Sequence, residues 1–131
     1  MKTIHVSGKR KSAIARATLN EGNGSVRVNH LMVDVFEPEV CRMKLFEPLL
    51  LAGDTVKKVN IDVVVFGGGM TSQAEAARLA IARALSAYDK KLEDVFSKYD
   101  RHLLVADVRR KETHKPNRHG KARAKTQKSY R

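Results

Sequence analysis

Alternation of apolar and polar side chains organises the first third of the chain. Ile4 to Gly8 reads as a short strand. Ala13, Ala15, Ala17 and Leu19 point one way, with Arg16 and Thr18 pointing the other, which predicts a second strand. Asn20-Glu21-Gly22-Asn23-Gly24 is turn chemistry, because Gly and Asn tolerate positive φ. Ser25 to Asn29 alternates again, Val26 and Val28 flanking Arg27, so the second and third strands are expected to form a β-hairpin. Pro38 and Pro48 can each open a short helix, and Gly53 is a stop for the latter.

Val59, Ile61, Val63 and Val65 share one face of a strand over 57–66, which Gly67-Gly68-Gly69 ends sharply. Ser72 and Glu75 have capping-box spacing. Beyond them Ala74, Ala77, Ile81, Ala84 and Leu85 recur at helical intervals, small enough to let this helix lie close on a sheet. Leu92, Val95, Phe96 and Tyr99 predict a further helix, and Leu103 to Val108 a final strand. From Arg109 to Arg131 the only apolar side chains are Ala122, Ala124 and Tyr130, too few to offset the entropy of ordering. The reading is an α/β sandwich over residues 1–108 followed by a basic tail over 109–131, disordered when alone. There is no internal repeat.

Charge sharpens that division. The 131 residues carry a formal net charge of +12, while 42% of them are apolar, so a core exists beside a polyanion-seeking surface. Up to Asp100 there are fifteen Lys and Arg against twelve acids; from Arg101 onward there are eleven against Asp107 and Glu112 alone. The single Cys41 has no partner for a disulfide or a thiolate metal site and fits the core of a protein from a reducing compartment. No apolar run approaches the roughly 20 residues that span a bilayer, and the basic start resembles no signal peptide, so a cytosolic location is expected.

Three groups carry candidate chemistry. Arg109, Arg110, Lys111, Lys115, Arg118, Lys121, Arg123, Lys125, Lys128 and Arg131 alternate with small or polar residues rather than with an apolar face. That spacing suits a chain tracking phosphates, not a membrane-bound helix. The residues after Glu112 could reach roughly 60 Å at about 3.3 Å each. Gly67-Gly68-Gly69 before a helix either brings backbone N–H groups to an anion or simply makes a tight strand-to-helix turn; it lacks the Walker lysine and does not fit G-x-G-x-x-G. Lys9-Arg10-Lys11 at a strand-to-strand junction either meets a phosphate ridge or is a solvated loop. Catalysis and metal binding find little support. His5, His30, His102, His114 and His119 are scattered, without a Cys or carboxylate at ligand spacing, and no nucleophile stands in a recognisable setting.

The run Ser7-Gly8-Lys9-Arg10-Lys11-Ser12-Ala13-Ile14-Ala15-Arg16-Ala17 and then Val26-Arg27-Val28-Asn29 resemble the opening of the small-subunit ribosomal protein nine family. Gly67-Gly68-Gly69, Gln73-Ala74, Ala77-Arg78 and Ile81-Ala82-Arg83-Ala84-Leu85 continue the resemblance. Asp107-Val108-Arg109-Arg110-Lys111-Glu112 and Gln127-Lys128-Ser129-Tyr130-Arg131 close it, the ending being similar to the archaeal and eukaryotic branch and the short start to its archaeal members. His30 stands where the family has glycine, and Pro116-Asn117-Arg118-His119 replaces a glycine-rich stretch.

The resemblance implies a ribosomal-protein-S5 domain-2-like α/β sandwich, a four- to five-stranded sheet covered by helices. It implies binding to ribosomal RNA in the head of the small subunit, beside neighbouring head proteins, through Lys9, Arg10, Lys11, Arg16, Gly67, Gly68, Gly69, Gln73 and the tail cations as far as Lys125. It further implies that Lys128, Ser129, Tyr130 and Arg131 touch the anticodon stem-loop of the peptidyl-site tRNA. No cofactor, small-molecule substrate or membrane partner is implied. Competing readings are a phosphate-transfer enzyme using the glycine-rich turn and a DNA-coating protein recognised by charge alone.

Overall fold

Among the described residues, five strands make one sheet in the order β1-β2-β5-β3-β4: β1 Ile4–Arg10, β2 Ala13–Glu21, β3 Val26–Val28, β4 Leu31–Met32 and β5 Val59–Phe66. The computed structural model describes residues 2–117 and 120–123. In these residues three α-helices, α1 Glu39–Ala52, α2 Met70–Tyr88 and α3 Lys91–Tyr99, lie on one side of the sheet, giving a two-layer α+β sandwich. The alternating positions decide the layering. Ala13, Ala15, Ala17 and Leu19 of β2 and Val59, Ile61, Val63 and Val65 of β5 are all buried beneath the helices, as their spacing predicts. Arg16, Asp62, Val64 and Phe66 point to the open face, where the Arg16 guanidinium lies 5.4 Å from the Phe66 ring centroid.

Helix α2 is the centre of the helical layer. Ala74, Ala77, Ile81, Ala84 and Leu85 are buried as expected, and so are Ala76, Leu79, Ala80 and Ala82. Its small side chains let β1 come close: a Cβ added to Gly8 would meet the Ala76 carbonyl oxygen at 2.5 Å and the Ala80 nitrogen at 2.9 Å. In α3, Leu92 and Phe96 are buried, while Val95 and Tyr99 face outward. Cys41 is buried on α1, in line with its expected place in the core.

Four local expectations are corrected. The antiparallel partner of β2 at the start of the chain is β1, joined to it through Lys11-Ser12, and β5 separates β2 from β3. The Glu21–Ser25 segment therefore crosses the end of β5 instead of closing a hairpin. Its Gly22 and Gly24 N–H groups bond the carbonyls of Lys58 and Val59, and the Asn60 side chain accepts from the N–H groups of Asn23 and Ser25. The true short hairpin is β3–β4, turned by Asn29 and His30, both with positive φ (49° and 69°).

Pro38 and Pro48 do not open two helices. Pro38 is the N-cap of the single helix α1, and Pro48 sits inside it. Pro48 lacks the N–H for a helical bond to Lys44, but its ring is fully buried, in register with Cys41, Leu45 and Ala52, and that burial offsets the loss. The predicted stop at Gly53 is present, with φ 59°.

Ser72 and Glu75 make no capping box, because α2 begins earlier, after Gly69, and Glu75 turns to cations of other elements. Finally, Leu103–Val108 is not a strand. A short 3₁₀ turn, Arg101–Leu103, buries Leu103, and the chain then runs on as coil.

Candidate nucleic-acid interface

The β1–β2 turn, the glycine run and the root of the basic tail meet at one end of the sheet. Tight geometry brings the first two together. Lys11 turns the chain with φ 54°, while Gly67 and Gly68 have φ 77° and 63°. A Cβ on Gly67 would lie 2.7 Å from the Ser12 carbonyl oxygen, and one on Gly68 would lie 3.0 Å from the Ala13 nitrogen. These two glycines are therefore required by the tight strand-to-helix turn. Gln73 supports the same turn, its Nε2 donating to the Gly67 carbonyl at 3.0 Å. Gly69 is different: it is exposed, has nothing within 4 Å of its Cβ position and starts α2 with ordinary negative φ.

The third group arrives from nearly a hundred residues away. Arg10, Lys11 and Ser12 line an open cleft of about 680 Å³ opposite Arg109, Arg110 and Lys111. With Lys9 alongside, six cations gather at this end, and the carboxylates of Glu75, Asp100 and Asp107 line the adjoining recess. Lys9, Lys11, Arg110 and Lys111 have no ion-pair partner among the described residues. Arg10 is engaged. Its Nε donates to Glu75 at 2.8 Å, one terminal nitrogen lies 3.6 Å from Asp107, and the other donates to the Arg109 carbonyl at 3.4 Å. Arg109 in turn forks onto Asp107 at 2.7–3.1 Å.

The carboxylates in this network are held ionised. Burial pushes the Glu75 carboxyl up, but hydrogen bonds from Lys44 and Arg10 outweigh it and set it below the usual carboxylate range. Asp107 lies well below that range through the side-chain and backbone hydrogen bonds of Arg109. At Asp100 burial again acts upward and is outweighed by the His102 N–H and Arg78. These acids were not singled out by residue pattern as partners. The available signal was that Asp107 and Glu112 are the only acids after Arg101. Arg83 completes the attachment of this end, donating to Ser7 and Leu104 carbonyls at 2.9 and 3.0 Å.

Other expected contact residues are dispersed. Arg16 stands on the open sheet face, away from the cleft lining. Lys115 donates its backbone N–H to the Lys121 carbonyl at 2.9 Å, and Arg123 grips Glu112, so the chain doubles back within the tail. Arg118, Lys125, Lys128, Ser129, Tyr130 and Arg131 lie outside the described residues. Among the described residues no group of His, Cys, Asp or Glu is arranged to hold a metal, and no helix is long and apolar enough to cross a membrane.

The family model described as ribosomal protein S9/S16 matches residues 8–131, which takes in the turn, the glycine run and the whole tail. The chain belongs to that ribosomal protein family. Small ribosomal subunit protein uS9 of Methanococcus vannielii is 48% identical over the full length of both chains. The proteins of that name from two Methanococcus maripaludis strains are 47% identical, again over the full length of both. This S9/S16-family member is thus of the archaeal type, a structural constituent of the ribosome in the cytoplasm and not an enzyme.

Proposed function

We propose that the chain is built into the head of the small ribosomal subunit and binds ribosomal RNA there with the basic cleft. The convergence of Lys9, Lys11, Arg110 and Lys111 at one end of the sheet carries this reading. Cations without acidic partners can replace the counterions of a phosphate ridge, and that release drives association. Arginines add forked hydrogen bonds to phosphate oxygens. Neighbouring head proteins are the further partners. Residues 1–108 act as the folded RNA-binding unit and 109–131 as the tail.

The tail extends this contact to the peptidyl-site tRNA. Lys128 and Arg131 bind phosphates of the anticodon stem-loop, with Ser129 and Tyr130 beside them, Tyr130 offering a ring for stacking. Phosphate contacts hold without reading sequence, which suits a site that every tRNA visits. A chain of alternating cations and small residues can also enter a channel between RNA helices that a folded domain cannot. Deleting residues 128–131 tests this reading on reconstituted subunits. The variant is expected to assemble normally and to hold peptidyl-site tRNA more weakly; unchanged tRNA affinity would remove the tail from that role.

A further inference from the structure

We infer that Arg10 and Asp107 are positioning residues that aim the tail, forming a clasp between the first strand and the point where the tail leaves the fold. Among the described residues, the segment after Leu103 pairs with no strand, so sheet hydrogen bonds do not set the direction of the tail root. Side chains do so instead. Arg10, with 14% of its side chain exposed, ties Glu75 of α2, Asp107 and the Arg109 carbonyl into one cluster. Asp107, 16% exposed, faces Arg10 and also receives the Arg109 fork. One guanidinium thus joins three segments, and only an arginine has enough donors in a fixed plane to do it.

The arrangement has a cost that simple RNA binding would not incur. Asp107 places a negative charge inside the most basic part of the molecule and occupies two arginines that could otherwise face phosphates. If the region acted only by charge, an uncharged residue at 107 would bind RNA better. If the clasp aims the tail, the same residue would release its root and lower the tail's effective concentration at its target. The two roles therefore predict opposite signs. The consequence for tRNA rests on the reading given above for the tail; the clasp itself rests on the geometry.

The test uses the full chain with Cys41→Ser and spin labels at cysteines replacing Thr113 and Lys98, both exposed. The unaltered clasp should give one narrow distance distribution, and Asp107→Asn and Arg10→Lys should each broaden it. Equal widths in all three would overturn the clasp. On reconstituted subunits Asp107→Asn should weaken peptidyl-site tRNA binding roughly three- to tenfold even though it removes a negative charge. Deletion of 128–131 is measured in parallel. If that deletion weakens tRNA binding but Asp107→Asn leaves it equal or tighter, the aiming role is refuted. If the deletion has no effect while the distributions still differ, the tail's tRNA role falls and the clasp stands.

Discussion

Removing cations from the cleft should lower the salt dependence of RNA binding only where those cations are not already paired. Lys11, Arg110 and Lys111 are exposed and have no acidic partner among the described residues, whereas Arg10 is tied to Glu75 and Asp107. Each phosphate neutralised contributes about 0.7 to 0.9 to the slope of log affinity against log salt, so replacing the three by alanine should reduce the slope by roughly 2 to 3. Arg10→Gln should reduce it by less than about 1, because its charge is already compensated within the fold. The assay is fluorescence anisotropy of a labelled structured RNA hairpin titrated at a series of potassium chloride concentrations. Circular dichroism of each variant checks that the fold is retained. An unchanged slope in the triple variant would refute the cleft as a phosphate site. A loss for Arg10→Gln as large as for the triple variant would refute the distinction between paired and unpaired cations.

Gly8→Ala should cost about 1–3 kcal/mol in urea unfolding, since the new methyl would collide with α2 backbone, while leaving every cation in place. Wild-type-like stability would contradict the close β1–α2 approach. His30→Gly should stabilise the fold by about 1 kcal/mol, because a β-carbon is strained at φ 69° and glycine is not; a lowered melting temperature would count against the turn geometry. Glu75 has a folded pKa depressed below its ordinary 4.5, so its contribution to stability is present above about that pH and is lost as pH falls through the folded value. Thermal unfolding between about pH 6 and 2 should therefore show a smaller acid loss in Glu75→Gln than in wild type, and identical pH profiles would show that the Arg10–Glu75–Lys44 network adds nothing.

The parts of the fold legible in the sequence were those set by local periodicity. Alternation located β2 and β5 and assigned their buried faces, and the alanine pattern located α2 and its closeness to the sheet. Pairing was not legible, because alternation identifies a strand's inner face without naming its neighbour. The Asn20–Gly24 cluster marks a change of direction equally well whether it closes a hairpin or crosses over β5. Pro48 illustrates a second limit: proline's backbone preference argues for a helix start, but burial among Cys41, Leu45 and Ala52 overrides it. Leu103–Val108 has strand-like composition, yet arginine side chains hold its neighbourhood where a ladder was expected.

At the candidate site, the basic residue types were evident and their meeting was not. Lys9-Arg10-Lys11 and Arg109-Arg110-Lys111 are both visible as charge clusters, but only the fold places them across one cleft. Their division into engaged and unpaired cations depends on Asp107 and on Glu75, an acid whose spacing from Ser72 points to a helix cap instead.

The most direct test of the central claim is co-sedimentation with small ribosomal subunits through a gradient at roughly 0.5 M salt, where adhesion by counterion release alone falls steeply. Retention at one copy per subunit is the predicted result and would mark an integrated component. Complete loss at that ionic strength would contradict it, leaving a basic surface that binds RNA only by proximity and charge.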